Sequence, residues 1–184
     1  SLTRPFFASM RDDAAHEGGD LTVWDDAAHA TYVYGSAEVV GLMCLRVFLR
    51  GSAAGSDDQA RMEHGARQLG AAFQNINFLR DLADDTDRLG RSYLSDDGPL
   101  DDAARDRWVA TVRAQLSDAA ETIPLLPRDA RVAVRSAHAL FAALTARVAR
   151  TPAADLYRTR IRVPDPVKLG LAAGAVLTTL REGR

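Results

Sequence analysis

Four aspartates follow one another closely in residues 77–95, NFLRDLADDTDRLGRSYLS, where the apolar spacing otherwise predicts a packed helix. They are Asp81, Asp84, Asp85 and Asp87. Helix interiors disfavour Asp because its short side chain competes for backbone hydrogen bonds, and like charges one turn apart repel each other. The group is therefore either a solvated surface or a place where a cation binds.

The helical spacing of the polar residues is compatible with a cation site. Four of them follow i, i+3, i+7 and i+11 and so share one helix face: Gln74, Asn77, Asp81 and Asp85. Carboxylates one turn apart can bind Mg²⁺, which keeps several waters and takes phosphate oxygens as further ligands. Fork-shaped donors for the same phosphates are nearby, on Arg80, Arg88 and Arg91. A solvated helix end with local salt bridges is the competing interpretation, and the pattern leaves both open.

A second stretch, YVYGSAEVVGLMCL at 32–45, places Gly35 and Gly41 inside a predicted helix. Each glycine costs about 1 kcal/mol there relative to Ala, so both need a reason. Close helix packing is one reason, and a smooth wall against a long apolar ligand is the other; the spacing favours packing. Cys44, the single cysteine, excludes an intrachain disulfide, and its apolar neighbours predict a buried, inert thiol in a reducing compartment.

Composition limits the class of protein. The 184 residues are 47% hydrophobic and 26% charged, which is typical of one soluble globular domain, and the net charge of −2 gives no indication of nucleic-acid binding. No apolar run reaches the roughly 18 residues that cross a bilayer. The start, SLTRPFFASM, has neither an initiator Met nor the features of a signal peptide, and we expect it to lie inside a longer chain.

The pattern of the whole chain predicts an all-α protein, since it shows no strand alternation and favours helix-forming residues. Helices are expected at about 5–13, 25–49, 57–87, 100–123, 127–149 and 166–181. Gly51 should close the second helix. Most of the recurring Asp pairs should cap helix starts, but Asp84 and Asp85 come late in the third helix, at the negative end of its dipole.

Taken together, these stretches resemble the squalene/phytoene synthase family of head-to-head prenyl synthases. LGAAFQNINFLRDLADDTDRLGRSYLS at 69–95 is similar to the family's second aspartate-rich segment, and YVYGSAEVVGLM at 32–43 to its Tyr-x-Tyr helix. RPFFASMRDDA at 4–14 and LYRTRIRVPDPVKLGLA at 156–172 resemble the preceding and closing segments. The resemblance implies an all-α bundle of the isoprenoid-synthase type around a central cavity, with 1–184 forming one incomplete domain.

The resemblance also implies roles for individual residues. Asp81, Asp85 and Tyr32 match catalytic positions, and Asp81 and Asp85, with Asn77, match the ligands of Mg²⁺, for which Mn²⁺ is an alternative. The matched substrate-binding positions are Gln74, Asn77, Arg91, Tyr93, Ser36, Val40 and Gly41; the last three match the channel for the prenyl tail.

The implied activity is transfer between two prenyl diphosphates in isoprenoid or carotenoid biosynthesis, started by metal-assisted loss of diphosphate. The family resemblance places the protein in the cytoplasm, and its apolar substrates favour peripheral contact with a membrane, although no strongly basic amphipathic helix is evident. The sequence leaves open the C15 or C20 length of the substrate, the reduction of the product by NADPH and the oligomeric state.

Two departures from the family pattern matter. The first aspartate-rich motif is not found, because Asp12, Asp13 and Asp20 follow a stretch that normally comes after that motif. We therefore expect the chain to be the C-terminal two-thirds of a synthase, weak or inactive alone; a non-catalytic assembly or scaffold protein is the alternative. Glu38 replaces a small residue and would narrow or polarise the channel unless it points to solvent.

Overall fold

The computed structural model describes residues 2–15, 26–52, 55–83 and 99–182. Helices account for most of these residues, and no strand occurs among them, which confirms the all-α prediction. The helices are α1 (Thr3–Ala15), α2 (Asp26–Val33), α3 (Val39–Phe48), α4 (Ser56–Arg80), α5 (Asp102–Thr122), α6 (Arg128–Val148), α7 (Ala153–Leu156) and α8 (Asp165–Arg181). A π-helical turn, Tyr34–Glu38, joins α2 to α3, and a 3-10 turn, Ile123–Leu125, follows α5.

Asp101 caps a helix start as the sequence predicted, whereas the N-cap of α4 is Gly55, without a side-chain cap. The Asp101 carboxylate accepts a hydrogen bond from the Ala104 N–H at 2.6 Å and caps α5. Asp57 and Asp58 lie in the first turn of α4, where they meet the positive end of the helix dipole. The Asp pair at 12–13 differs, because it lies near the C-terminal end of α1.

The predicted second helix forms as one helical run, with the π turn in its middle. Within that turn the Val39 N–H donates to the Tyr34 carbonyl, five residues back. The run ends as expected near Gly51, whose φ of +83° lies in the left-handed region that glycine adopts without a steric cost. π turns inside α-helices are frequent at functional sites, and this one lies among the small residues at 35–37.

Helix α4 is shorter than the sequence predicted. It ends at Arg80, and Asp81 leaves the helical conformation (φ −98°, ψ 9°) although its N–H still donates to the Asn77 carbonyl at 2.9 Å. The prediction of a helix that continues towards residue 87 is therefore wrong at Asp81. The departure is local to Asp81, because Leu82 and Ala83 are again helical.

The two glycines of the 32–45 stretch are packing positions, as the spacing favoured. A methyl group added at Gly41 would lie 2.3 Å from the Ala66 carbonyl oxygen, and one added at Gly35 would lie 2.0 Å from the Ser9 hydroxyl. On α4, a methyl group at Gly70 would lie 2.5 Å from the Ala37 carbonyl oxygen. The contacts at Gly41 and Gly70 bring α3 and the π turn against the backbone of α4, and the contact at Gly35 brings the π turn against α1.

Helix α4 lies at the centre of the described fold and packs against the π turn, α3, α5 and α6. Its fully buried side chains include Met62, Ile76 and Leu79. Helix α8 packs on α6, where Arg135 contacts the Thr179 hydroxyl and the Glu182 carboxylate. No helix of the described part is both long and apolar enough to cross a membrane.

Candidate functional site

An apolar groove of about 380 Å³ has walls from four elements: the π turn, α3, α4 and α6. Three of its lining residues are the predicted channel positions Ser36, Val40 and Gly41. The α4 side of the groove is lined at helical spacing by Met62, Gly65, Ala66, Leu69, Gly70 and Phe73. The structure therefore brings the three predicted channel residues together on one wall, and Gly41 serves both as a packing position and as part of that wall.

Small side chains explain why the groove is open. Ala66 and Gly70 on α4 face Ala37 and Gly41 across the helix contact, and Ala133 and Ala137 form the wall from α6. Phe73, which also lines the groove, stacks on Phe141 with ring centroids 3.7 Å apart and so fixes α4 against α6. A groove with such walls suits a long apolar chain, because each CH₂ group that leaves water for the groove contributes about 0.8 kcal/mol to the free energy of binding.

Cys44 differs from its prediction. Its side chain is exposed rather than buried, and it lines the groove. Its neighbours divide between core and groove: Val39 and Leu45 are buried, whereas Val40 and Gly41 line the groove beside the accessible thiol.

Glu38, the unusual charge, does not line the groove. Its carboxylate lies 2.6 Å from the Arg67 Nε, and its side chain is only 17% exposed. The Arg67 guanidinium also lies over the Tyr34 ring, 5.6 Å from the centroid. Arg67 on α4 thus neutralises the charge that the sequence expected either to narrow the channel or to face solvent.

Past Phe73, the same side of α4 becomes polar. Asn77 follows one turn after Phe73 and Asp81 another turn later, and half-buried Gln74 lies two turns before Asp81. The Asn77 side-chain oxygen is buried and has no hydrogen-bond partner. An unpaired amide oxygen one turn before a carboxylate is a donor set that suits a hard cation such as Mg²⁺, so these residues fit the metal that the family implies.

The Asp81 carboxylate contacts two arginines. Arg80 Nε donates to Oδ1 at 2.9 Å, and Arg80 Nη2 donates to Oδ2. Arg160, from the segment between α7 and α8, places its Nε 2.7 Å from Oδ1. With 21% of its side chain exposed, Asp81 is neither splayed into bulk water nor buried without a partner.

Sequence reasoning missed Arg160, because it aligned the closing segment through Arg162. A signal was present in the sequence, because apolar residues and arginines alternate in this segment. Tyr157, Ile161 and Val163 pack against the core, so the arginines between them point away from it.

Tyr32, the predicted cavity tyrosine, lies where the groove meets the polar end. It is one turn before Ser36 and packs against Phe78 of α4, with ring centroids 5.9 Å apart. Three other predicted site residues, Asp85, Arg91 and Tyr93, lie outside the described residues. Within residues 2–15, 26–52, 55–83 and 99–182, no group of three or more His, Cys, Asp or Glu side chains could hold a metal ion. The metal set of Asp81, Asp85 and Asn77 therefore stays a prediction.

Comparison with known proteins supplies the family. The model for squalene/phytoene synthase matches residues 2–166. A curated 15-cis-phytoene synthase from Paracoccus sp. (strain N81106 / MBIC 01143) is 31% identical over 169 residues, which cover 84% of this chain and 52% of the relative. The chain thus spans about half the length of this relative.

A solved structure of TcSQS, a squalene synthase in complex with the ligand BPH1237, shares the fold with a TM-score of 0.57 at 15% identity. The match covers 98% of this chain and 57% of that one. The fold is therefore that of the all-α isoprenoid synthases, as the sequence predicted. The match of the family model over most of the chain, together with the relative and the shared fold, shows that this chain belongs to the squalene/phytoene synthase family.

Proposed function

We propose that this chain forms the part of a head-to-head prenyl synthase that holds one prenyl diphosphate. The tail lies in the groove along Val40, Gly41 and Phe73, and the diphosphate lies at Asn77 and Asp81. The observation that carries the proposal is the change of chemistry along one side of α4, from an apolar wall to an unpaired buried amide oxygen and a carboxylate.

Each region has a defined task in this proposal. Asn77 and Asp81, with Asp85, hold Mg²⁺, which supplies Lewis-acid stabilisation of the departing diphosphate when bound. Arg80 keeps the Asp81 carboxylate oriented at the end of α4. The groove excludes water from the reactive end of the prenyl chain, and Tyr32 and Phe78 line the boundary between the two regions.

Transfer between two prenyl diphosphates needs more than this chain spans, since it covers about half of its curated relative. We expect the 184-residue chain alone to bind substrate but to turn it over weakly or not at all. The apolar substrates and products would favour peripheral contact with a membrane surface.

Asp81→Asn tests the proposal most directly, with Asp155→Asn as its matched control, because the half-exposed Asp155 side chain also pairs with an arginine, Arg158. Binding of inorganic pyrophosphate and of geranylgeranyl diphosphate is measured by calorimetry with and without Mg²⁺. We expect Asp81→Asn to weaken Mg²⁺-dependent binding of both by about tenfold to a hundredfold, the effect of losing one charge-assisted ligand. Asp155→Asn should bind like the wild type.

Binding that does not depend on Mg²⁺ or on Asp81 would contradict the proposal and favour the scaffold alternative. A stability measurement gives a second check. Since Arg80 and Arg160 both pair with Asp81, its replacement should destabilise the fold slightly. Stabilisation would instead indicate that charge repulsion was merely tolerated there.

A further inference from the structure

One face of α3 carries apolar side chains out of the groove and onto the surface. Val40 and Cys44 line the groove and are also exposed, Val40 to 37%. Val47 lies one turn after Cys44, is 68% exposed and is not among the residues that line the groove. Helical spacing puts the three side chains on one side of α3, the α3 outer face. The groove wall therefore continues into an exposed apolar patch.

Two arginines border the α3 outer face. Arg46 precedes Val47, and helical geometry places it on the side of Val47 that lies away from Phe48, which lines the groove. Arg50 follows in the closing turn, where its N–H donates to the Val47 carbonyl at 3.2 Å. Both arginine side chains are exposed. The sequence has no acidic residue between Glu38 and Asp57, although Asp and Glu make up 25 of the 184 residues.

Another exposed apolar face, on α8, has no such border. Its large side chains are 41–73% exposed: Leu169, Val176, Leu177 and Leu180. Residues 169–180 contain no charged side chain. An apolar helix face with arginines beside it has the chemistry of a helix that lies at the surface of an anionic membrane. The α3 outer face has this chemistry, and the α8 face does not.

Resting on the proposed function, we propose that the α3 outer face docks this protein on an anionic lipid bilayer. Val47 enters the boundary between the headgroups and the acyl chains, and Arg46 and Arg50 contact the lipid phosphates. The groove then opens beside the acyl chains. A prenyl chain passes along Val40 and Cys44 between bilayer and groove, and its CH₂ groups stay out of water.

Val47→Asp tests this inference, with Leu169→Asp on α8 as the matched control, because both variants replace an exposed apolar side chain with a carboxylate. Co-sedimentation measures binding to vesicles of phosphatidylcholine, alone or with about 30% phosphatidylglycerol, which supplies the anionic surface. We expect Val47→Asp to bind the anionic vesicles at least about tenfold more weakly than the wild type, because it loses apolar contact and adds a negative charge. Leu169→Asp should bind like the wild type.

Arg46→Gln and Arg50→Gln test the charged border. Each should weaken binding to the anionic vesicles about threefold to fivefold, the effect of one arginine near such a surface. About 0.5 M NaCl should weaken the wild type more than the double variant, because salt screens the attraction. Binding that is equal on both kinds of vesicle, or that neither arginine affects, would overturn the inference.

Cys44 gives a readout that adsorption through another face would not move. Its thiol is exposed on the α3 outer face, so anionic vesicles should slow its modification by a charged, water-soluble thiol reagent in proportion to the fraction of protein bound. Mass spectrometry follows the reaction. An unchanged rate on fully bound protein would show that a different surface docks, and the inference would be wrong.

These results separate the inference from the proposed function. If Val47→Asp and Leu169→Asp bind anionic vesicles equally well, the docking surface is wrong and the proposed function stands. If vesicle binding depends on Val47 but pyrophosphate binding does not depend on Mg²⁺ or Asp81, the proposed function fails, and the docking surface stands without the prenyl transfer that rests on it. Self-association of the wild type that Val47→Asp abolishes, without any vesicle binding, would assign the face to a second copy of the chain and overturn the inference.

Discussion

The two halves of one side of α4 use opposite chemistry. From Met62 to Phe73 the helix lines a groove whose walls come from the π turn, α3 and α6, all within the described fold. From Asn77 to Asp81 it presents an amide and a carboxylate, and the charge on Asp81 is balanced by the adjacent Arg80 and by Arg160, from a segment far along the chain. The groove depends on shape, whereas the polar end depends on charges brought from elsewhere. The groove should therefore tolerate changes of salt that alter the polar end.

The largest change in the free energy of unfolding is expected at the close contact between α4 and the π turn. Gly70→Ala adds a methyl group 2.5 Å from the Ala37 carbonyl oxygen and should lower the free energy of unfolding by about 1–3 kcal/mol. Gly174→Ala in α8 meets nothing within 4 Å and should raise it by up to about 1 kcal/mol, the helix propensity of Ala. Urea unfolding measures both. Equal effects would mean that the contact of α4 with the π turn is looser than described.

Filling the groove should separate its contribution from that of the polar end. Ala137→Phe places a ring among the groove residues and should weaken geranylgeranyl diphosphate binding by about tenfold or more, since several CH₂ groups lose their contacts. Pyrophosphate binding should change less than about twofold, which is within the effect of a distant substitution. The same substitution at exposed Ala173 of α8 is the control. An equal loss for both ligands would contradict the separation of the two halves.

The reactivity of the Cys44 thiol should show whether the groove is occupied, independently of the polar end. Because its thiol is exposed on the groove wall, N-ethylmaleimide should modify the native chain. Geranylgeranyl diphosphate at about ten times its Kd should slow the reaction about tenfold by mass action, whereas pyrophosphate should not. Mass spectrometry follows the modification, with Cys44→Ser as the blank. Protection by pyrophosphate would show that the polar end also controls the groove.

The smallest effect is expected outside both halves, where α8 meets α6. The hydrogen bond from Arg135, with further attraction from Arg135 and Arg131, holds the pKa of Glu182 below its ordinary 4.5. The stabilisation is therefore present above about pH 4.5 and is lost as the pH falls through the lowered pKa. Glu182→Gln should cost about 0.2–1 kcal/mol at pH 7, as exposed ion pairs do, and nothing in strong acid. Urea unfolding of Glu182→Gln and the wild type at pH 7 and in strong acid measures this difference. Pyrophosphate binding should be the same for both proteins.

Much of the fold followed from the sequence because its signals are local. Apolar spacing predicted the helix class and most helix bounds, and the Asp101 cap and the end of the second helix near Gly51 follow from side-chain and backbone chemistry within a few residues. The prediction failed where a local pattern had two structural outcomes. An apolar run around Cys44 suits a groove wall as well as a core, and helical spacing beyond Asp81 could not show that the backbone leaves the helix there.

The sequence by itself determined that Gln74 and Asn77 share one side of a helix and that Asp81 comes one turn after Asn77, because these follow from helical periodicity. It also favoured close packing at Gly35 and Gly41, because glycine inside a helix needs a reason. Only the tertiary structure decided that Ser36, Val40 and Gly41 share a groove with Phe73, that Arg67 takes up the charge of Glu38, and that Arg160 reaches Asp81. These are contacts between residues far apart in the chain. They depend on how the helices pack, which periodicity along one helix does not specify.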